Sequence, residues 1–187
     1  MKNQRTTNVY DYCRDEAPNS MAAAISTNLI NIRNQNLKLV LEKFEGANHK
    51  LELVKVIRGV KFVDDAAASN AHAVWYALES ADYHSSVVWI MNMNDIDMIN
   101  EALMEIIDKK VKAIVIQGSY NAEMIDFFSG FGKEISYAMH LEDAVRTAFY
   151  SCKQGDEVLY SPGVPHCEMD ASYQIRGENF QKAIAQL

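Results

Sequence analysis

Residues 51–65, which read LELVKVIRGVKFVDD, decide the fold. Apolar and polar side chains alternate with a period of two in residues 51–57 and again in residues 60–65, which is the pattern of a β-strand. Only Arg58 and Gly59 separate the two runs. Because so short a connection can reverse the chain but cannot make a parallel crossover, the stretch predicts an antiparallel β-hairpin.

Downstream of the hairpin, apolar strands alternate with amphipathic helices. The predicted elements are helix 69–82, strand 87–91, helix 96–108, strand 113–116, helix 121–128, a weaker strand at 135–137, helix 141–152, strand 157–160 and a last helix from about Tyr173. This alternation predicts an α/β, Rossmann-like fold. We expect a mostly parallel sheet of about six strands with one antiparallel hairpin strand and helices on both faces.

Upstream of the hairpin, the sequence divides into two stretches. Residues 1–16 are polar and show no period, so they predict an N-terminal arm. Residues 17–46 predict a short helical segment that begins near Pro18 and stops at Gly46. The α/β unit is therefore expected over residues 47–187.

The composition indicates a globular protein. Of 187 residues, 49% are apolar, and 18 Lys and Arg against 25 Asp and Glu give a net charge of −7. This acidic balance argues against nucleic acids and membranes as partners and favours a small molecule or another protein. Three cysteines without C-x-x-C spacing argue against disulfides and structural zinc. The absence of a signal peptide and of a long apolar run predicts a cytoplasmic location.

Candidate ligand positions lie where the predicted strands end, because ligands of such sheets bind at the carboxyl ends of the strands. Asp64 and Asp65 can hold a ribose or Mg²⁺ there, or can form a turn and cap a helix, and the residues alone leave both interpretations open. His49 and Lys50, taken alone, predict a solvated pair. The run HCE at 166–168 predicts a surface loop rather than a nucleophile or metal cluster, because adjacent side chains diverge.

Several well-known nucleotide and catalytic motifs are missing from the sequence. It contains no G-x-x-x-x-G-K-[ST], no G-x-G-x-x-G after a strand and no G-x-S-x-G. The chain therefore has no P-loop, no dinucleotide fingerprint and no nucleophile elbow of its own.

Five segments together resemble the Mur ligases. FEGANHKLELV at 44–54 and GVKFVDDAAASN at 59–70 are similar to the family's F-x-G-x-x-H-R-x-E-x-V and D-S-K-A-T-N blocks. GDEVLYSP at 155–162, with RGENF at 176–180, resembles the last strand, the substrate loop and the R-G-x-x-F helix of the D-glutamate-adding branch. NSMAAA at 19–24 resembles the N-x-x-A-A-x helix that ends the family's central ATPase domain. The resemblance covers residues 17–187 in the family's order.

The resemblance implies a three-domain parent enzyme of peptidoglycan precursor synthesis. In that family the carboxylate of a UDP-sugar substrate is activated as an acyl phosphate, which the amine of an amino acid then attacks. The central domain carries the P-loop and the Mg²⁺ ligands, and the C-terminal domain closes over the nucleotide and holds the amino acid. By this resemblance, residues 47–187 are a C-terminal domain and residues 17–46 are a helical remnant of the central one. ATP and Mg²⁺ would then be shared with a missing domain.

Three positions of the resemblance imply contact with the nucleotide. Asn19 stands where the family contacts adenine, and Lys50 replaces the family's nucleotide-facing Arg, which keeps the charge and loses the bidentate fork. Asp65 matches the family's nucleotide-contacting Asp. The sequence therefore predicts half of an ATP site and no catalytic residue or metal ligand of its own.

The positions that would hold the amino acid depart from the family's pattern. Ala66 and Ala67 replace the S-K of D-S-K-A-T-N, and Ser69 and Asn70 stand at its T-N. The lysine lost here is the cation that would pair with the D-glutamate carboxylate, and a buried carboxylate is costly without one. The family's G-G-x-x-K loop is replaced by MNMNDID at 91–97, which lacks the glycines and the lysine.

The loop that begins at Ser161 has changed in the same direction. His166 and Asp170 stand where the family has its substrate-holding Ser and Phe. A cationic pocket has thus become neutral or acidic, which argues against D-glutamate as the ligand.

Two hypotheses of function follow, and they belong to different classes. In the first, the chain has kept the fold and lost ligase activity, and acts as a binding or regulatory module, with another chain supplying a P-loop. In the second, it is a divergent half of a working ATP-dependent amide ligase that takes a neutral or basic amine. The simultaneous loss of the P-loop, both loop lysines and both glycines favours the first. A truncated ligase gene without a role remains a third interpretation.

Overall fold

The computed structural model describes residues 49–165 and 172–187. The chain divides into two units after Glu45, and all that follows concerns the second unit. The predicted arm 1–16, the whole predicted helical segment 17–46 with Asn19, and His166 and Asp170 lie outside the described residues.

The sheet confirms the predicted fold class. Its six strands lie in the order β1-β2-β6-β3-β4-β5. Only β1 and β2 pair antiparallel, and every other neighbouring pair is parallel. The strands are β1 (Glu52–Ile57), β2 (Val60–Asp64), β3 (Val87–Met91), β4 (Val111–Gln117), β5 (Glu134–Ala138) and β6 (Glu157–Tyr160).

The hairpin turns on two residues, as the sequence predicts. Arg58 has φ +51° and Gly59 has φ +79°, so both adopt the left-handed conformation that a two-residue turn needs to match the twist of its strands. Strands β3 to β6 each pair in parallel with their neighbours, because a helical crossover precedes each of them in the chain.

In residues 49–165 and 172–187, five helices cover the sheet, with a 3-10 turn at Ile96–Met98. They are α1 (Ala71–Ser80), α2 (Glu101–Lys110), α3 (Ala122–Ser129), α4 (Leu141–Ser151) and α5 (Tyr173–Ile184). The predicted helix 96–108 is in fact the 3-10 turn followed by α2. The side chain of Asp95 caps the 3-10 turn and that of Asn100 caps α2, so two helical segments begin one after the other.

Apolar residues form one layer on each face of the sheet. One layer joins α1, α2 and α3 to Trp89, Met91 and Ile114, and the other joins α4 and α5 to Ile90, Val115 and further strand residues. Strands β3 and β6 are buried on both faces; β3 is apolar throughout, whereas β6 begins with the buried Glu157. Met91 and Met93 are buried in the first layer, and Met98, Met104 and Trp75 pack against it partly buried.

Among residues 49–165 and 172–187, no helix has the length and apolar character needed to cross a membrane.

Candidate nucleotide-side site

The carboxyl ends of β2 and β6 lie side by side and bring Asp65 against Ser161. The Asp65 carboxylate accepts a 2.7 Å hydrogen bond from Ser161 Oγ and another from the backbone N–H of Leu51. Its side chain is buried, with the residue 3% exposed. Burial raises the pKa of Asp65 to about 7, and the two hydrogen bonds oppose that rise.

Asp64 is fully buried beside it and binds a histidine. Asp64 Oδ2 lies 2.7 Å from His49 Nδ1, and Asp64 Oδ1 accepts a 3.0 Å hydrogen bond from the N–H of Ala66. Burial raises the pKa of Asp64, whereas the hydrogen bonds from His49 and Ala66 oppose the rise. The sequence leaves two interpretations open for these acids, a ligand site and a structural role. In the structure both carboxylates accept hydrogen bonds from other parts of the protein, which is a structural role.

The prediction that His49 and Lys50 form a solvated pair is wrong for His49, which is 7% exposed. Its side chain faces Asp64, its N–H donates to Glu52 Oε2 at 3.2 Å, and its carbonyl accepts from Ala67 N at 3.1 Å. Three contacts therefore fix one residue that precedes the first strand. Lys50 is half-buried, and its charge lowers the pKa of Asp65.

His49, Glu52 and Asp64 offer one ligand atom each within 4.8 Å of one another, which raises the question of a metal. Two tetrahedral ligands of a zinc ion lie about 3.3 Å apart, because each is roughly 2.0 Å from the metal. Nδ1 and Oδ2 are 2.7 Å apart, which is a hydrogen-bond distance. The geometry of these three residues is that of a hydrogen-bonded pair with a neighbouring carboxylate.

Helix α5 packs directly on this pair through Gly177. A Cβ on Gly177 would fall on His49 Nδ1 and Cγ and would lie 2.7 Å from Asp64 Oδ2. Only glycine therefore fits in this turn of α5. One turn further, the ring of Phe180 stacks on Tyr160 of β6 with centroids 4.9 Å apart.

Arg176 of α5 holds the loop that follows β6. Its guanidinium donates to the carbonyls of Val164 and Pro165, each at 3.2 Å. The same loop begins at Ser161, whose carbonyl accepts from Trp89 Nε1 at 2.8 Å. The loop is thus fixed at both ends in the part of the chain that the structure describes.

A cleft of about 390 Å³ lies beside this loop. It is lined by Ser69, Asn70, Ala71, His72, Asp97, Met98, Asn100, Gly163 and Pro165. Asn70 and Asn100 cap α1 and α2 there. The lining holds one carboxylate and, among the described residues, no Lys or Arg.

The predicted substrate-loop residues separate into two groups. Ser69 and Asn70 line the cleft, whereas Ala66 is buried and Ala67 binds the carbonyl of His49. Ser161 faces Asp65 and not the cleft.

Sequence reasoning placed Asp97 in a strand-end loop without giving it a role of its own, and it missed the roles of Asn100 and Gly177. Asp97 and Asn100 follow a predicted strand, which was the available signal for a cleft position. Gly177 was noted only as part of a motif, and a glycine inside a predicted helix was the signal that something packs against it.

We predict that Gly177→Ala destabilises the domain by about 3 kcal/mol, because the new methyl group collides with a ring that Asp64 holds in place. Urea unfolding followed by circular dichroism measures this. In a His49→Ala background the ring is gone, so the same change should cost far less, since alanine is the better helix former. An equal cost in both backgrounds would contradict the contact.

We predict that Asp65→Asn raises the melting temperature at pH 8 and that this gain shrinks towards pH 5. The folded pKa of Asp65, about 7, lies above the usual 3.8, so the acid contributes stability below pH 4 that is lost as the pH rises to 7. The asparagine variant does not lose it.

Asp82→Asn is the matched control for this pH dependence. Asp82 is exposed, and the hydrogen bond from the N–H of His84 lowers its pKa, so any effect should be small and of opposite sign. A gain for Asp65→Asn that grows as the pH falls would contradict the assignment.

Comparisons with known proteins identify relatives of this chain. No family model matches the chain. UDP-N-acetylmuramoylalanine–D-glutamate ligase from Bacteroides fragilis is 34% identical over 170 residues, which are 90% of this chain and 38% of that enzyme. The corresponding ligase from Christiangramia forsetii is 32% identical over 174 residues, 93% of this chain and 39% of the enzyme. The chain thus spans well under half the length of these relatives.

Solved structures share the fold at low sequence identity. UDP-N-acetylmuramate–alanine ligase from Thermotoga maritima superposes with a TM-score of 0.51 at 15% identity, over 78% of this chain and 32% of that one. A murein peptide ligase from Psychrobacter arcticus gives 0.51 at 13% identity, over 75% and 30% of the two chains. The relatives are Mur ligases and the fold is that of their C-terminal domains, so the chain is a homologue of the C-terminal domain of the Mur ligases.

Proposed function

We propose that this domain binds a nucleotide at its Lys50 edge as one half of a composite site, and that it acts as a binding or regulatory module without ligase activity of its own. The supporting observation is a difference in charge along the carboxyl edge of the sheet. Lys50 stands at one end, next to the buried acids. At the other end, the described lining of the cleft contains Asp97 and no Lys or Arg.

The residues fit the phosphate groups of ATP better than they fit Mg²⁺. Related ligases use ATP and Mg²⁺. The ammonium group of Lys50 suits a phosphate oxygen, to which it can donate a charge-assisted hydrogen bond. Asp65 does not suit Mg²⁺, because its carboxylate is buried and already accepts from Ser161 and Leu51. The Mg²⁺ ligands would come from the segment that supplies the P-loop.

The composite site needs a partner that carries a phosphate-binding loop. The sequence contains no such loop, and its relatives are longer than the matched region. We propose a partner chain or a further domain with a P-loop, in the cytoplasm, where peptidoglycan precursors are made. The net charge of −7 speaks against nucleic acid as the partner.

A second candidate function rests on Asp97. A carboxylate in the cleft pairs with an ammonium group better than with a second carboxylate. In this version the domain is the divergent half of an amide ligase, completed by another chain, and its incoming amine is neutral or basic rather than D-glutamate.

We predict that the chain binds Mg-ATP saturably and that Lys50→Ala weakens binding at least tenfold, because one charged phosphate contact contributes about 1.5–3 kcal/mol. Isothermal titration calorimetry up to millimolar ATP measures this. Lys50→Arg should bind at least as well as the unchanged protein. Lys55→Ala, which removes an exposed lysine of β1, should leave the affinity unchanged. Absence of heat with the unchanged protein would refute the nucleotide site.

We predict no phosphate release by the chain alone when Mg-ATP, UDP-N-acetylmuramoyl-alanine and D-glutamate are supplied together. The physical reason is the absence of a P-loop and of a cation in the described cleft. A colorimetric phosphate assay measures turnover, with the Bacteroides fragilis ligase as the positive control. Release that depends on an amino acid would favour the second candidate, and its dependence on a basic or neutral amine would identify the substrate class.

A further inference from the structure

The sheet holds the start of the loop that follows β6, residues 161–165. The carbonyl of Ser161 accepts a 2.8 Å hydrogen bond from Trp89 Nε1 of β3. The carbonyl of Pro162 accepts a 3.0 Å hydrogen bond from the N–H of Asn92, the residue that follows β3. Because both donors are anchored to a buried central strand, this part of the loop is fixed to the sheet.

A single side chain of α5 holds the end of the same loop. The guanidinium of the half-buried Arg176 donates from Nη1 to the carbonyl of Val164 and from Nη2 to that of Pro165, each at 3.2 Å. A guanidinium can bridge two successive carbonyls because its N–H donors lie in one rigid plane. Pro165 is exposed and lines the cleft. This wall of the cleft therefore depends on Arg176.

Helix α5 packs on the His49–Asp64 pair at the residue next to Arg176. A Cβ at Gly177 would fall on the ring of His49 and would lie 2.7 Å from Asp64 Oδ2, so the backbone of α5 contacts both side chains directly. The pair is buried, and its Nδ1 and Oδ2 atoms are 2.7 Å apart. Because close-packed interiors transmit strain, a change in the pair moves the backbone that carries the guanidinium.

We propose that Arg176 is a positioning residue for the cleft, and that the His49–Asp64 pair controls its position through the packing of α5. The entrance to the hairpin and the cleft are then coupled through one helix. This inference goes beyond the proposed nucleotide site, because it requires no nucleotide and concerns the shape of the cleft that the second candidate function uses. Coupling between two sites acts in both directions, so a change at Arg176 also affects His49.

Amide hydrogen exchange, measured by NMR, tests the positioning role because it reports local opening of the chain. The reporter is the N–H of Gly163, which lines the cleft and donates to the carbonyl of Ala68 at 3.1 Å. Arg176→Ala should raise the exchange rate of this amide about fivefold or more, because two hydrogen bonds to the next two carbonyls are lost. Arg176→Lys should recover part of the protection, since an ammonium group can still donate to a carbonyl.

Arg146→Ala is the matched control variant. Arg146 of α4 is 55% exposed and pairs with Asp143, so its loss should leave the exchange of Gly163 unchanged. The control amide is that of Gly118, which donates to the carbonyl of Ala138 at 3.0 Å beside β4 and β5. Unchanged exchange of Gly163 in Arg176→Ala would overturn the positioning role. An equal rise at Gly163 and Gly118 would reflect a general loss of stability and would overturn it as well.

A double-mutant cycle tests the coupling between the pair and the loop. His49→Ala should raise the exchange rate of Gly163, relative to that of Gly118, by about threefold or more. In an Arg176→Ala background the same change should have no further effect on this ratio, because the link between the ring and the loop is already broken. No effect in the unchanged background, or an equal effect in both backgrounds, would overturn the coupling.

The ring resonances of His49 give a second test that does not need His49→Ala to fold. Because the coupling is reciprocal, Arg176→Ala should shift these resonances at constant pH, whereas Arg146→Ala should not. Ring resonances that stay in place in Arg176→Ala would overturn the coupling. Neither test uses a nucleotide, so a failure of Mg-ATP to bind would refute the proposed nucleotide site and leave this inference standing.

Discussion

The buried hydrogen bond between His49 and Asp64 is the contact on which this edge of the domain depends. It joins the residue that enters the hairpin to the residue that closes it, and α5 packs on both partners through Gly177. Loss of one partner from such a buried pair leaves a polar group without its partner, which costs several kcal/mol. The start of β1, the end of β2 and the turn of α5 that packs on them therefore form a single structural unit.

Burying two adjacent carboxylates at the edge of a sheet lowers the stability of the folded domain, yet this domain buries both. Burial raises the pKa of both Asp64 and Asp65. Hydrogen bonds from His49 and Ala66 to Asp64, and from Ser161 to Asp65, offset part of that cost. The same edge of the sheet continues into a cleft whose described lining has no Lys or Arg.

Most of the fold could be predicted from the sequence because it follows from local periodicity. The hairpin, the alternation of strands and helices and the six-stranded sheet depend on patterns a few residues long. The helix predicted over 96–108 was wrong in its first turn, because Asp95 and Asn100 each cap a separate helical segment. An asparagine inside a stretch with helical periodicity can continue one helix or cap the start of a new one. Tertiary contacts, and not the local sequence, decide between the two.

The site was less predictable because it depends on contacts between segments far apart in the chain. No pattern around His49 shows that a helix more than a hundred residues later lies over its ring. Likewise, Ser161 follows β6 as expected, but only the pairing of β6 with β2 turns its hydroxyl towards Asp65. The family resemblance implies a nucleotide contact by Asp65, which the structure buries to 3% exposure; that contact stays a prediction.

The most direct test of this account is to titrate the ¹⁵N-labelled protein with Mg-ATP and to follow its backbone amides by NMR. The account predicts saturable shifts concentrated at Lys50, Leu51 and Asp65, with little change at the hairpin turn of Arg58 and Gly59. Shifts that avoid residues 49–51 and appear elsewhere on the domain, or no shifts at millimolar nucleotide, would contradict it.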